Sequence, residues 1–206
     1  MVGPARGQNF RHDESGISLT EGLIVFPLMV FVITVIIEFS YGMYQWNQAA
    51  KAAQLGARIL AVSDPITSDF ATVFAFDSDL GGQVVQPDNT IVSQCGPGAN
   101  PCESLDRLVN GNGRWPGMQA YYNRISEDNV FVSYEQTGLG YHGRPTGPVV
   151  TLRLELRNVT FELPLVGALM NALGANSATD FTNITVPAFP VTVTTEDLQT
   201  CTGGCP

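Results

Sequence analysis

The first quarter of the chain contains a long run of apolar residues. Positions 22–37, GLIVFPLMVFVITVII, carry no charged side chain, and as an α-helix they would span about 24 Å. Apolar neighbours on both sides extend this length toward the roughly 30 Å hydrocarbon core of a bilayer. Tyr41, Tyr44 and Trp46 then follow, an arrangement typical of the aromatic belt at a membrane surface. The pattern therefore predicts a transmembrane helix over about 17–46.

Small residues follow at helical spacing, which indicates that the helix continues beyond the membrane. They recur three and four positions apart and form one narrow face: Ala49, Ala52, Ala53, Gly56 and Ala57. A face of this kind allows another surface to approach closely. Asp64-Pro65 predicts the end of the helix, because a residue before proline avoids the α region. We therefore expect one helix over 17–62, about 69 Å long, with its second half outside the lipid.

The remaining sequence, 63–206, mixes strand and helix patterns. Residues 149–161 alternate most regularly, with Leu152 and Leu154 on one face and Arg153 between them on the other. Further strands are predicted at 73–76, 90–94, 129–137 and 184–197, the last at a sheet edge because it contains Pro187 and Pro190. Helical segments are predicted at 104–111 (capped by Ser104), 114–127 (starting near Pro116) and 163–176. The fold class is α+β: a long N-terminal transmembrane helix that extends into a small domain with an antiparallel sheet and short helices.

Charge excludes some functions. Charged residues make up 14% of the chain and the formal net charge is −9, whereas soluble domains usually have about 25% charged residues. The ten Lys and Arg residues are scattered, and phosphate binding needs clustered cations, so we expect no nucleic-acid partner. The sequence contains no recognisable set of nucleophile, base and oxyanion hole, so we expect neither an enzyme nor a cofactor.

Four cysteines form two close pairs, Cys95/Cys102 and Cys201/Cys205. Such pairs in Gly/Pro-rich loops favour disulfides in an oxidising compartment. Their spacings, C-x6-C and C-x3-C, differ from the C-x2-C knuckles of common zinc sites, so no metal is expected. A four-cysteine metal site and free thiols remain as alternatives, and four cysteines allow three disulfide pairings.

The stretch ESGISLTEG places a glycine shortly before a glutamate at the mouth of the apolar run. Gly16 is followed by four residues, ISLT, and then by Glu21. This order resembles the processing motif of type IV pilins and pseudopilins, in which a prepilin peptidase cuts after the glycine. The resemblance implies a cut between Gly16 and Ile17, which would remove the leader 1–16 and leave 190 of the 206 residues.

The resemblance becomes more specific over the next forty positions. The residues that match in order and spacing are Glu21, Pro27, Glu38-Phe39 and Gly56-Ala57-Arg58. They are similar to the TadE-like family of the tight-adherence (Flp) pilus system, over about residues 14–60. The chain departs from this family at Gly22, where processed members commonly have Tyr or Phe. The resemblance implies a pilin-like fold and a non-enzymatic minor pilin or pseudopilin, with a cytoplasmic leader, a bacterial inner-membrane span and a periplasmic domain over 63–206.

The resemblance also implies assembly roles for several helix positions. Glu21 would pair with the new amine of Ile17 on a neighbouring subunit; alternatively it only occupies the first helical turn, where the helix dipole favours a carboxylate. Glu38 would mark the outer boundary of the span, either as an interfacial carboxylate in water or in contact with a partner helix. Pro27 would kink the helix or mark a packing site in a filament. The small residues that would pack against partner helices include Ala49, Ala53 and Gly56.

The expected partners are other pilins or pseudopilins, the inner-membrane assembly platform, the prepilin peptidase and membrane lipid. The sequence leaves open whether the protein enters the filament, primes it or stays in the membrane complex. One alternative is a signal-anchored periplasmic domain that binds a ligand or surface partner without joining a filament. Another is a secretory signal cut near 49–52, which the length of the apolar region and the weakly basic leader argue against. Charge supports the orientation only thinly, since Arg6 and Arg11 precede the span and Lys51 follows it.

Overall fold

The structure is a computed structural model, and it describes residues 14–75, 78–113, 115–144, 149–172, 183–185 and 190–195. The second predicted cysteine pair, Cys201 and Cys205, lies outside the described residues. Most of the predicted leader, residues 1–13, and the end of the predicted helix 163–176 also lie outside them.

One long helix, α1, runs over Glu14–Ala61. The prediction of a single helix over 17–62 is confirmed, although the helix begins three residues earlier and therefore includes Gly16 and Ile17. Its first half is exposed around its circumference, with 71% of Leu23 and 70% of Phe26 accessible. Its second half packs against the rest of the chain. The helix is thus divided into an apolar part without contacts to the domain core and a part that belongs to that core.

The rest of the described chain is an α+β domain, as the sequence predicts. Its helices are α2 (Phe70–Val73), α3 (Leu105–Val109) and α4 (Pro164–Ala172). Its strands are β1 (Pro87–Cys95), β2 (Val130–Thr137), β3 (Thr151–Leu156), β4 (Thr160–Glu162), β5 (Asn183–Thr185) and β6 (Pro190–Thr194). An antiparallel sheet has the strand order β1-β2-β3-β6, and β4 and β5 form a separate antiparallel pair. The predicted single strand 184–197 is wrong in its extent, because its described strand residues belong to β5 and β6, which lie in different sheets. The strand β6 lies at a sheet edge, as its proline predicts.

The core lies between the second half of α1 and one face of the larger sheet. Ala53 and Ala57 of the helix and Leu152 and Leu154 of β3 are all fully buried. The alternation in β3 therefore has the predicted direction, because its leucines enter the core while Arg153 stays exposed. Small helix residues let the backbone of α1 approach the sheet closely.

The predicted strand 149–161 is wrong in its length. It divides into β3 and β4, because Asn158 has a left-handed backbone conformation with φ of +57°. The side-chain amide of Asn129 donates hydrogen bonds to the carbonyls of Arg157 (3.0 Å) and Asn158 (3.2 Å), which stabilise this turn. Asparagine tolerates the left-handed region better than most residues do.

The predicted helix 114–127 is also wrong. The described part of this segment contains two short 3₁₀ turns instead, Met118–Ala120 and Glu127–Asn129. Gly117 lies so close to the preceding loop that a Cβ there would come within 2.3 Å of the Val109 carbonyl oxygen. The buried Met118, Tyr122 and Ile125 imitate a helical spacing, but they are held by turns against the core.

Two local predictions fail for simple reasons. The segment predicted as a strand at 73–76 starts at the last residue of α2. The N–H of Phe74, directly after this helix, donates to the carbonyl of Phe70 at 2.9 Å. Ser104 precedes α3 with φ of +57° and makes no side-chain capping bond, whereas a capping serine has an extended backbone. The strands predicted at 90–94 and 129–137 are confirmed as parts of β1 and β2.

Candidate functional site

Glu38 is a buried carboxylate on α1, with only 3% of the residue exposed. It accepts hydrogen bonds from the backbone N–H groups of Leu165 and Val166, the second at 2.8 Å. Pro164, the first residue of α4, has no N–H to offer, so this carboxylate satisfies the next two donors of the helix. The expectation of a water-exposed boundary residue is therefore wrong: Glu38 caps a helix of its own chain.

Gln45 makes a second buried contact, one heptad further along α1. Its side-chain amide donates to the carbonyl of Glu162 (2.9 Å) and accepts from the N–H of the same residue (3.1 Å). The hydroxyl of Tyr122 lies 3.1 Å from the Gln45 oxygen and 3.0 Å from the carbonyl of Thr160. Gln45 thus pairs with strand β4 in the way a neighbouring strand would.

Gln45 is a structural contact residue of α1 that the sequence prediction missed. Glu38, Gln45 and Ala52 follow one another at intervals of seven residues, and all three are buried. Residues seven apart lie close to the same face of a helix. Glu38 and Gln45 lie on the same helix face as the small residues. This polar continuation of the face was the sequence signal that it contacts protein and not lipid.

The small-residue face does not stay available for partner helices in this structure. Ala49 and Ala53 are buried in the core of the same chain, 2% and 0% exposed respectively. A Cβ at Gly56 would lie 2.7 Å from the Met118 sulfur and 3.1 Å from a methyl group of Leu154. The expectation of packing against partner helices is therefore corrected: these residues bring α1 onto its own domain.

The other predicted assembly and processing residues lie in the exposed half of α1. Glu21 and Pro27 are both exposed, and Pro27 lies inside the continuous helix. Gly16 and Ile17 belong to its first turns. Within the described residues, one helix is long and apolar enough to span a membrane; it covers Leu19–Ala61, and its most apolar window has a mean hydropathy of 2.6. This supports a single-pass anchor, since 6% of that window is buried inside the protein.

Residues 16–58 match the family model of TadE-like proteins. The predicted resemblance is thereby confirmed over this stretch, which lies entirely within α1. No curated protein and no solved structure matches the chain.

Beyond the TadE-like segment, Cys95 and Cys102 form a disulfide, which confirms these two candidates and settles their pairing, left open by the sequence. It closes a short loop after β1, and the guanidinium of Arg157 donates to the Pro97 carbonyl in that loop at 3.1 Å. Arg157 also lies 3.4 Å from the centre of the Phe131 ring. No group of three or more metal-ligating side chains occurs among the described residues.

Glu155 is a buried carboxylate of the domain that follows the TadE-like segment. Its side chain is 9% exposed and lies 2.5 Å from Arg153 and 2.8 Å from Arg157. Burial raises the pKa of this carboxyl, but hydrogen bonds and charge from the two arginines outweigh that effect and hold the pKa below 4.5. This arrangement joins β3 to the disulfide loop and has the character of a structural ion pair.

Proposed function

We propose that this protein is a minor pilin or pseudopilin that takes part in assembly of a tight-adherence (type IVc) pilus. The observation that carries the proposal is the division of α1. The TadE-like match covers this helix, whose first half exposes apolar side chains while its second half is fixed to a folded domain. In such a subunit the exposed half can anchor the protein in a bilayer. During assembly the same half can exchange its lipid contacts for contacts with neighbouring helices.

Processing would create the charge pair that sets the register of assembly. A cut between Gly16 and Ile17 leaves a new amine four positions before Glu21, about 6 Å along the helix axis. A carboxylate in lipid is unfavourable unless it is paired. Glu21 on the exposed half of α1 therefore needs a cation, and the amine of Ile17 on an adjacent subunit provides one.

The proposed location is the bacterial inner membrane, with a single span and the domain 63–206 in the periplasm. The disulfide between Cys95 and Cys102 supports an oxidising compartment for this domain. The proposed partners are the prepilin peptidase, other pilins or pseudopilins and the inner-membrane assembly platform. They would meet the exposed half of α1 first, because its second half is occupied by its own sheet.

The experiment is Glu21→Ala, expressed in the native host in place of the wild-type gene. We expect the protein to insert and to be processed but pili to be lost, because the register-setting carboxylate is missing. Glu14→Ala is the matched control: it removes a carboxylate from the same end of α1, in the part that processing discards, and should leave pili intact. Normal piliation with Glu21→Ala would contradict the proposal.

The same experiment tests the alternative of a signal-anchored periplasmic binding domain that joins no filament. That alternative is favoured by one observation: the TadE-like match ends at residue 58, so the domain that follows α1 lies outside it. If the alternative is right, neither Glu21→Ala nor deletion of the whole gene should change the number of pili.

A further inference from the structure

The chain segment before α4 runs along α1 toward the predicted membrane. Glu162 is bound by Gln45, the side chain of Leu163 is next to Gly42, and the first turn of α4 is bound by Glu38. Each step along this segment therefore meets an earlier residue of α1. The direction is fixed by polar contacts at both ends, and it delivers α4 to the point where the charge-free run 22–37 ends.

The sequence of α4 suits an apolar environment. Its nine residues, PLVGALMNA, contain no charge, and Asn171 is the single amide among them. Leu165 in the first turn is 43% exposed, although it is a large apolar side chain. On the adjoining stretch of α1, Phe39 is 70% exposed and Tyr44 is 58% exposed. Exposed aromatic residues are typical of the bilayer interface, and an uncharged helix can lie there without bringing a charge into lipid.

An apolar groove lies between α1 and the segment from β4 to the first turn of α4, at the same level. Its volume is about 360 Å³, and its walls are almost entirely apolar. Val35, Phe39 and Met43 form the α1 side, and Phe161 and Val166 form the other side. Glu38 also borders the groove, but its carboxylate is already engaged by the N–H groups of α4. The groove therefore offers contact area for hydrocarbon.

We propose that α4 is a second membrane-contacting element, which lies in the bilayer interface beside α1 and receives a phospholipid acyl chain in the groove. Lipid is the favoured occupant because the groove continues directly into the exposed apolar surface of α1, through Val35 and Phe39. The proposal rests on the membrane-anchoring role of α1 given above and extends it to the domain. Contact at two elements would fix the tilt of the domain on the membrane, which a single helix leaves free.

The test uses the full chain in vesicles of phospholipids with brominated acyl chains, which quench tryptophan fluorescence on contact. Trp46→Phe and Trp115→Phe first remove the native tryptophans. One tryptophan is then introduced by Leu165→Trp on α4, by Ile33→Trp in the span, or by Val84→Trp, which replaces a 66% exposed residue of the domain. We expect loss of fluorescence for Ile33→Trp and Leu165→Trp, and no loss for Val84→Trp.

The outcomes separate this proposal from the proposed function. If Ile33→Trp is quenched but Leu165→Trp is quenched no more than Val84→Trp, the anchor stands and the interfacial role of α4 is overturned. The same holds if a second copy of the chain covers both α4 and the groove, because that copy would shield Leu165→Trp from lipid. If Ile33→Trp is not quenched either, membrane anchoring by α1 itself is contradicted.

Discussion

Glu38 accepts a 2.8 Å hydrogen bond from the backbone N–H of Val166, a residue 128 positions further along the chain. A carboxylate at the end of the apolar run thus fixes the start of α4. Together with the pairing of Gln45 and Glu162, this contact makes the junction between the exposed and buried halves of α1 a defined joint. Rigidity there matters for the proposed function, because a force on the exposed half would be transmitted to the domain through these bonds.

Removing the carboxylate should weaken this joint. Glu38→Ala leaves the N–H groups of Leu165 and Val166 without their acceptor, and we expect a loss of about 1–3 kcal/mol of stability. Glu38→Gln keeps one acceptor oxygen and should lose less. The measurement is thermal unfolding of the full chain in detergent micelles, combined with limited proteolysis at α4.

The control for this prediction is Asn47→Ala, which removes an exposed polar side chain from the same helix. It should leave both the unfolding temperature and the proteolysis pattern close to wild type. Equal stability of Glu38→Ala and Asn47→Ala would show that the cap does not hold α4.

The close approach at Gly56 predicts intolerance of larger side chains. Gly56→Val would place atoms against the Met118 sulfur and Leu154, and overpacking of this kind costs about 1–3 kcal/mol. Gln54→Val, at an exposed position two residues earlier, introduces the same side chain into α1 without that contact. Chemical denaturation of both variants should show a loss for Gly56→Val alone. Similar losses of unfolding free energy in both variants would mean that the helix propensity of valine, and not its packing, determines the destabilisation.

The disulfide makes stability depend on reductant. Closing a short loop such as that between Cys95 and Cys102 stabilises a fold by about 2–3 kcal/mol in the chain-entropy model. Replacing both cysteines by serine should lower the unfolding temperature. Reductant should lower it in the wild type and change the double variant far less. A reductant effect of equal size in both proteins would assign the stabilisation to another thiol.

Acid should weaken the ion pairs of Glu155. Its pKa in the folded protein lies below 4.5, so the unfolded chain binds the proton more tightly, and stability falls as the pH drops from about 4.5 through the folded value. Glu155→Gln should therefore be less stable than wild type at pH 7, and this difference in stability should shrink as the pH falls through the lowered pKa of folded Glu155. Glu103→Gln, at an exposed carboxylate, should show no such difference. A stability difference between Glu155→Gln and wild type that persists unchanged to low pH would contradict its assignment to the ion pairs of Glu155.

Features that rest on a long run or a repeated spacing of residues could be predicted from the sequence. The extent of α1 follows from the apolar run and the small residues after it, and the direction of β3 follows from alternation between Leu152, Arg153 and Leu154. The close spacing of Cys95 and Cys102 in a Gly/Pro-rich loop favoured a disulfide, although the sequence left the pairing of the four cysteines open. These signals succeed because each is repeated or local, and no distant residue has to be known.

The features that depend on distant partners could not be predicted. Gly117 belongs to a turn because the Val109 carbonyl lies against it, and the sequence of 114–127 carries no trace of that contact. Likewise, no sequence pattern near Glu38 indicates that backbone N–H groups of α4 donate hydrogen bonds to it. The small-residue face was readable as a close-packing surface, but whether it packs on its own sheet or on another subunit depends on the folded domain.

The most direct test of the proposed function is the intact mass of the protein taken from its native membrane. We expect a mature chain that begins at Ile17, because the proposed partner of Glu21 is the amine created there. A mass that still includes the residues before Ile17 would contradict processing, and with it the pairing of Glu21 that the proposed assembly requires.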